Sequence, residues 1–353
     1  MLLRLAARAA SALALASALA LTLTTPALAD PPQPAATDIV GVGTGTTEAL
    51  FNQFSTDYNA QLAAAGNTTS PRLYSWDSTG TTYITTKTGA TSIYRPANSF
   101  AGITSLNVNT SGTVDFARSN RGPRIEDPVT DLFVAMAKDG VSWAAPAGGN
   151  APASLTPFEL RLIYGCYYTN WRQIDPALPD ATIVPVLALH PGGYLSDTSE
   201  FFLRAAAQGA AYDFGPCVQR VYRENQGTDA ILHDPNAIVP YSAGRYVGQV
   251  YGGHTRPGDE PGALTVRGIS GISAVDTVNR QLNIAFTAGP FGHVLYNVVR
   301  AADWYTTDAH GTALRDIFGP SGWICRSNGG APVIRSYGFL SLSAFACGSV
   351  VHS

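Results

Sequence analysis

Glycines at alternate positions, Gly41, Gly43 and Gly45, separate a short apolar run beginning at Ile39 from Thr46, Thr47 and an apolar pattern at helical spacing. The segment predicts a strand, a tight turn and a helix start. Glycine lets the backbone turn sharply and approach a ligand closely. The first N–H groups of a helix lack partners within it and carry the positive end of its dipole, so such an end attracts anions. Thr46 and Thr47 add hydroxyl donors. The same residues also fit a plain turn with Thr46 as N-cap.

Further along, strand-like runs (Leu73–Trp76, Val114–Arg118, Leu132–Ala137, Ile183–Leu189) alternate with helical ones (from Phe100, Thr156–Gly165, Ser199–Gln208, and from Thr228). The helix near 156 is the best marked: Thr156 at the N-cap, Pro157 at N1, Glu159 at N3 and Gly165 at its end. This alternation predicts an α/β fold with largely parallel sheets, in which ligands sit on loops at the carboxyl ends of strands. The Gly43–Thr47 loop is in such a place.

Arg4 and Arg8, the Ala/Leu-rich stretch Ala9–Leu23 and Ala27-Leu28-Ala29 read as a secretory signal peptide over residues 1–29. No cysteine follows the apolar stretch, so no lipid anchor is expected there. Three prolines within 30–37 predict a disordered leader. Cleavage removes two of the 22 basic residues and none of the 25 acids, taking the formal charge from −3 to −5. That balance argues against nucleic acid or an anionic membrane as partner, though not against a small anion. Four cysteines in an exported chain suggest two disulfides, with Cys166–Cys217 and Cys325–Cys347 favoured because each pair stays within one part of the chain; buried free thiols are the alternative. No zinc spacing, G-x-S-x-G elbow or H-E-x-x-H motif occurs, so neither a metal nor catalysis is expected; His190, Ser196 and Asp197 form a local trio within one polar loop.

Several runs, in order, resemble the phosphate-binding subunits of bacterial ABC importers, of actinobacterial type: Gly41–Thr47, Val114–Pro123, Leu155–Leu160 with Tyr168–Trp171, Asn236–Tyr241, and Phe318–Cys325. The resemblance implies the class II periplasmic-binding-protein fold, with two α/β lobes closing on one anion. Residues 38–122 plus 239–353 are expected to form the first lobe and 123–238 the second. It also implies an exported monomer without cofactor that captures phosphate or a related oxyanion, with an ABC permease as partner. The competing reading is an exported protein of the same fold with another ligand.

Carried over residue by residue, the resemblance places Thr46, Thr47, Ser99, Ser119 and Asn120 on the anion, Asn120 standing where a carboxylate is common. A carboxylate accepts a proton from monohydrogen phosphate and repels sulfate, so Asn120 should weaken that discrimination. Arg118 and Arg121 lie nearby and suit bidentate pairing with an oxyanion. In the second lobe the expected Gly-Ser-Gly-Thr loop and upstream Arg are replaced by His190–Phe202, where Ser196, Thr198 and Ser199 are expected to rebuild the donor set. Asp197 would repel an anion if it pointed inward, and is expected to act as an N-cap instead.

Overall fold

The computed structural model describes residues 30–190 and 193–352. The expected signal peptide lies outside them. One eleven-stranded sheet runs through the molecule. Its main path joins β1 (Ile39–Gly43), β2 (Leu73–Ser75), β3 (Phe116–Ser119), β4 (Asp131–Pro146), β5 (Val184–Ala188), β6 (Gln219–Val221), β7 (Ala237–Ser242) and β8 (Gly292–Arg300) in the order β2-β1-β3-β8-β4-β7-β5-β6. Each wing is parallel: β2-β1-β3 at one end and β7-β5-β6 at the other. The antiparallel strands β8 and β4 link them.

The wings carry helices on their faces, as parallel strands buried on both sides require. Helices α1 (Glu48–Ala64) and α2 (Ser99–Val108) serve the first wing; α3 (Pro157–Tyr164), α4 (Asp197–Ala207) and α5 (Ala243–Val250) serve the second. The local signals at α3 operate as written: Thr156 accepts from the Glu159 N–H at 3.2 Å, and the Glu159 carboxylate accepts from the Thr156 N–H at 2.7 Å.

Side-chain packing divides the chain into two lobes at points other than those expected. Ile39, Leu50, Phe51, Phe116 and Leu132 share one core with Leu295, Val299, Leu314 and Phe339. Trp143, Leu160, Trp171, Leu187 and Phe202 share another with Ala243, Val247, Leu282, Phe286 and Phe291. The chain therefore returns to the first lobe near residue 292, not at 239. The reason is β7, which pairs with β5 and with the far half of β4 and keeps α5 in the second lobe. Only β8 carries the chain back.

Two further expectations are corrected. The strand expected over 132–137 runs sixteen residues, through the polar Lys138-Asp139 pair. Segment 30–37, expected to be disordered, is pinned: the Asp30 carboxylate pairs with both terminal nitrogens of Arg95 at 2.6 and 2.7 Å, and the Pro34 carbonyl accepts from the Thr88 N–H at 2.9 Å. Disulfides join Cys166 to Cys217 in the second lobe and Cys325 to Cys347 in the first. Among the described residues no helix is long and apolar enough to cross a membrane.

Candidate binding site between the lobes

The loop after β1 is built for close approach. Gly43 has φ +122°, and a Cβ there would lie 2.4 Å from the Arg118 carbonyl oxygen; at Gly102 of α2 a Cβ would lie 2.8 Å from Gly43 Cα. Neither position admits a side chain without displacing backbone. This packing brings the N-termini of α1 and α2 together, facing the N-terminus of α4 in the other lobe.

Arg118 organises the loop from beneath. It is fully buried, and its guanidinium donates to the carbonyls of Thr44 (3.1 Å), Gly43 (3.0 Å) and Trp76 (2.8 Å), and to Ser75 Oγ. Its forked donors thus fasten the turn to the neighbouring strand end. Burial lowers its pKa to about 10, against the pull of Glu48 and Asp77. Arg121 forms a bidentate pair with Asp127 at 2.6 and 2.8 Å. Ser119 Oγ donates to the Arg121 carbonyl at 2.8 Å. All three residues, read as ligand donors from the sequence, make these bonds inside the first lobe.

Ser99 and Thr46 meet second-lobe residues, Asn120 bonds Ser99, and Thr47 follows Thr46 at the start of α1; all four are buried. Ser99 Oγ accepts from the Asn120 N–H at 3.0 Å and lies 3.2 Å from Asn120 Oδ1. Thr47 Oγ and Asn120 Nδ2 have no hydrogen-bond partner among the described residues.

Opposite them, Ser196 caps α4 by accepting from the Ser199 N–H at 3.2 Å, and Ser199 Oγ accepts from the Ala188 N–H at 3.1 Å. These two hydroxyls tie the helix to β5. Asp197 is therefore not the cap. It is the first residue of α4, and its carboxylate reaches across to accept from the Ser99 N–H (2.7 Å) and approach Ser99 Oγ (2.9 Å). Burial and the neighbouring Glu224 raise its pKa to about 7, opposed by hydrogen bonds from Thr44 and Ser99.

Glu224, which carries no motif in the sequence, accepts from Thr46 Oγ at 2.8 Å and from the Thr198 N–H at 2.9 Å. It sits three residues past β6, at the carboxyl end of a parallel strand, where α/β folds place ligand-facing residues. Recognising the three-residue strand Gln219–Val221 is what would have pointed to it. Thr198 Oγ accepts from Asn225 Nδ2 at 3.3 Å.

Arg256, also not anticipated, joins the lobes by pairing with Glu48 and, at 2.7 Å, with Asp77. Burial and Glu48 raise the Asp77 pKa to about 7; burial also pushes Glu48 upward, but Arg256 and Ser78 outweigh it and hold Glu48 below the usual range. Between the lobes lies a cavity of about 20 Å³, bordered by Gly45, His190, Glu224 and Arg245 among others. That is room for one water. The His190–Ser196–Asp197 trio does not assemble: Ser196 is a cap, Asp197 faces Ser99, and His190 Nε2 has no partner among the described residues. Nor do those residues contain three or more His, Cys, Asp or Glu grouped to hold a metal ion.

Fold and site together define a two-lobed α/β protein with convergent helix N-termini in its cleft. No protein-family model matches the chain, and no curated protein does. Among solved structures it is similar to a putative phosphate ABC transporter substrate-binding protein with bound phosphate from Clostridium perfringens, at 14% identity over 87% of this chain and 100% of that one, TM-score 0.59. It is likewise similar to an ABC-type phosphate transport receptor from Vibrio cholerae (16%, 86% and 100%, 0.57) and a phosphate-binding protein from Stenotrophomonas maltophilia (14%, 88% and 91%, 0.52). At these identities the likeness is one of fold.

Proposed function

We propose that this protein is an exported, non-catalytic receptor that captures phosphate or a related small oxyanion between its lobes and delivers it to an ABC permease. The observation that carries the reading is the first-lobe donor set. Helices α1 and α2 present their N-termini to one region, flanked by buried Thr46, Thr47, Ser99 and Asn120, and two of these side chains hold donors with no partner among the described residues. Neutral hydroxyls, amides and helix N–H groups suit a desolvated anion without a full counter-charge. Two solved structures that share the fold are a phosphate transport receptor from Vibrio cholerae and a substrate-binding protein with bound phosphate from Clostridium perfringens. Thr198 and the α4 N-terminus complete the set from the second lobe. The protein acts as a monomer.

Isothermal titration calorimetry of ligand-stripped mature protein with phosphate, then sulfate, tests this. Phosphate heat that disappears in the Thr47→Val/Ser99→Ala double variant is the expected result. Silence toward both anions, in wild type and at every pH between 5 and 8, rejects the reading.

A further inference from the structure

Four donors on the interlobe face already have acceptors, and those acceptors belong to the protein. Asp197 takes the Ser99 N–H and faces its hydroxyl, while Glu224 takes the Thr46 hydroxyl and the Thr198 N–H. Both carboxylates come from the second lobe, and both reach a first-lobe hydroxyl. Each stands at a helix N-terminus, where negative charge is stabilised. In charge and hydrogen-bonding pattern they do what two oxygens of a bound anion would do.

We infer that Asp197 and Glu224 form an internal clasp, a pair of carboxylates that hold the lobes together in place of a ligand and compete with any oxyanion for the same donors. The inference rests on the phosphate reading only for the identity of the competitor; the clasp itself rests on the cross-lobe hydrogen bonds. Two physical consequences follow. The lobes stay closed without ligand. An entering anion also has to displace two carboxylates, or accept their repulsion, so the clasp lowers affinity and favours anions that bring a proton to share with a carboxylate.

Small-angle scattering and phosphate titration calorimetry on the full mature chain test it, using wild type, Asp197→Ala/Glu224→Gln, and the shape-conserving Asp197→Asn in case the double variant folds poorly. The expected result is a ligand-free wild type as compact as the phosphate-treated one. The variants should expand without phosphate, contract with it, and bind it roughly tenfold or more tightly, because a buried competing charge has been removed. If wild type binds phosphate and the variants neither expand nor bind more tightly, the clasp is refuted and the phosphate reading stands. If no form binds phosphate yet the variants expand, the clasp stands and the phosphate reading falls. If no form binds phosphate and the variants do not expand, both are refuted.

Discussion

The two lobes bring equivalent elements to the cleft, a parallel strand running through a loop into a helix, and equip them differently. In the first lobe the loop after β1 is glycine-rich, and its side chains at the face are hydroxyls. The buried Arg118 beneath that loop is turned inward onto the Gly43, Thr44 and Trp76 carbonyls. In the second lobe the matching hydroxyls, Ser196 and Ser199, fasten α4 to its own strand, and the groups that face outward are carboxylates. Around Ser99 and Thr46 the first lobe offers donors and the second supplies acceptors, the reverse of the Arg256 bridge to Glu48 and Asp77. A closed cleft therefore needs no counter-ion from outside to satisfy most of its polar groups, which makes any ligand a competitor as well as a guest.

Arg118→Ala breaks the comparison most severely. It strips several buried carbonyls of their donor and leaves Glu48 and Asp77 with less positive charge nearby, so a loss of about 3–5 kcal/mol is expected in urea unfolding. Arg118→Lys should recover little of it, since one ammonium cannot replace a fork of donors. A loss below about 1 kcal/mol would show that Arg118 is no structural brace.

The pH dependence is smaller and reports the second lobe. Burial and Glu224 raise the Asp197 pKa to about 7, opposed by Thr44 and Ser99, with the Arg118 charge also near. A carboxyl whose folded pKa exceeds its unfolded value contributes stability below about pH 4 that disappears as pH rises through about 7. Wild-type melting temperature should fall between pH 5 and pH 8, and Asp197→Asn should fall less. The slope persists in part because Asp77 is raised in the same way and the variant retains it. Identical slopes in the two proteins would mean Asp197 ionises normally.

Thr47→Val carries the smallest effect on stability and sharpens the contrast within the first lobe. Its hydroxyl is buried with no hydrogen-bond partner among the described residues. An apolar replacement of the same shape should shift unfolding free energy by about 0.5 kcal/mol or less, or raise it, while weakening phosphate binding. A large destabilisation would instead assign Thr47 a structural role.

The sequence disclosed what is local. The capping box at Thr156 and Glu159 lies within four residues and could be read directly, and the Gly43–Thr47 turn sits where its pattern indicated. What stayed hidden depends on distant partners. Strand β4 continues through Asp139 because the carboxylate there accepts from Ser242 Oγ at 2.5 Å and the Gly244 N–H at 2.9 Å, more than a hundred residues away. Asp197 has the composition of an N-cap, but Ser196 takes that place and leaves Asp197 facing Ser99. Glu224 lies in a polar run, Arg223 to Gln226, whose meaning depends on its crossing to Thr46. The lobe boundary near 292 was concealed likewise, because β7 sits where its neighbours in the sheet hold it.

The central claim is that the first-lobe hydroxyls and helix ends are the anion's donors and that Asp197 and Glu224 contend for them. Equilibrium dialysis with radiolabelled phosphate tests it most directly, comparing Asp197→Ala/Glu224→Gln with the same protein also carrying Thr47→Val and Ser99→Ala. The account predicts that the first retains phosphate more tightly than wild type and that the second loses it. Equal retention by both proteins, or retention by neither, would contradict it.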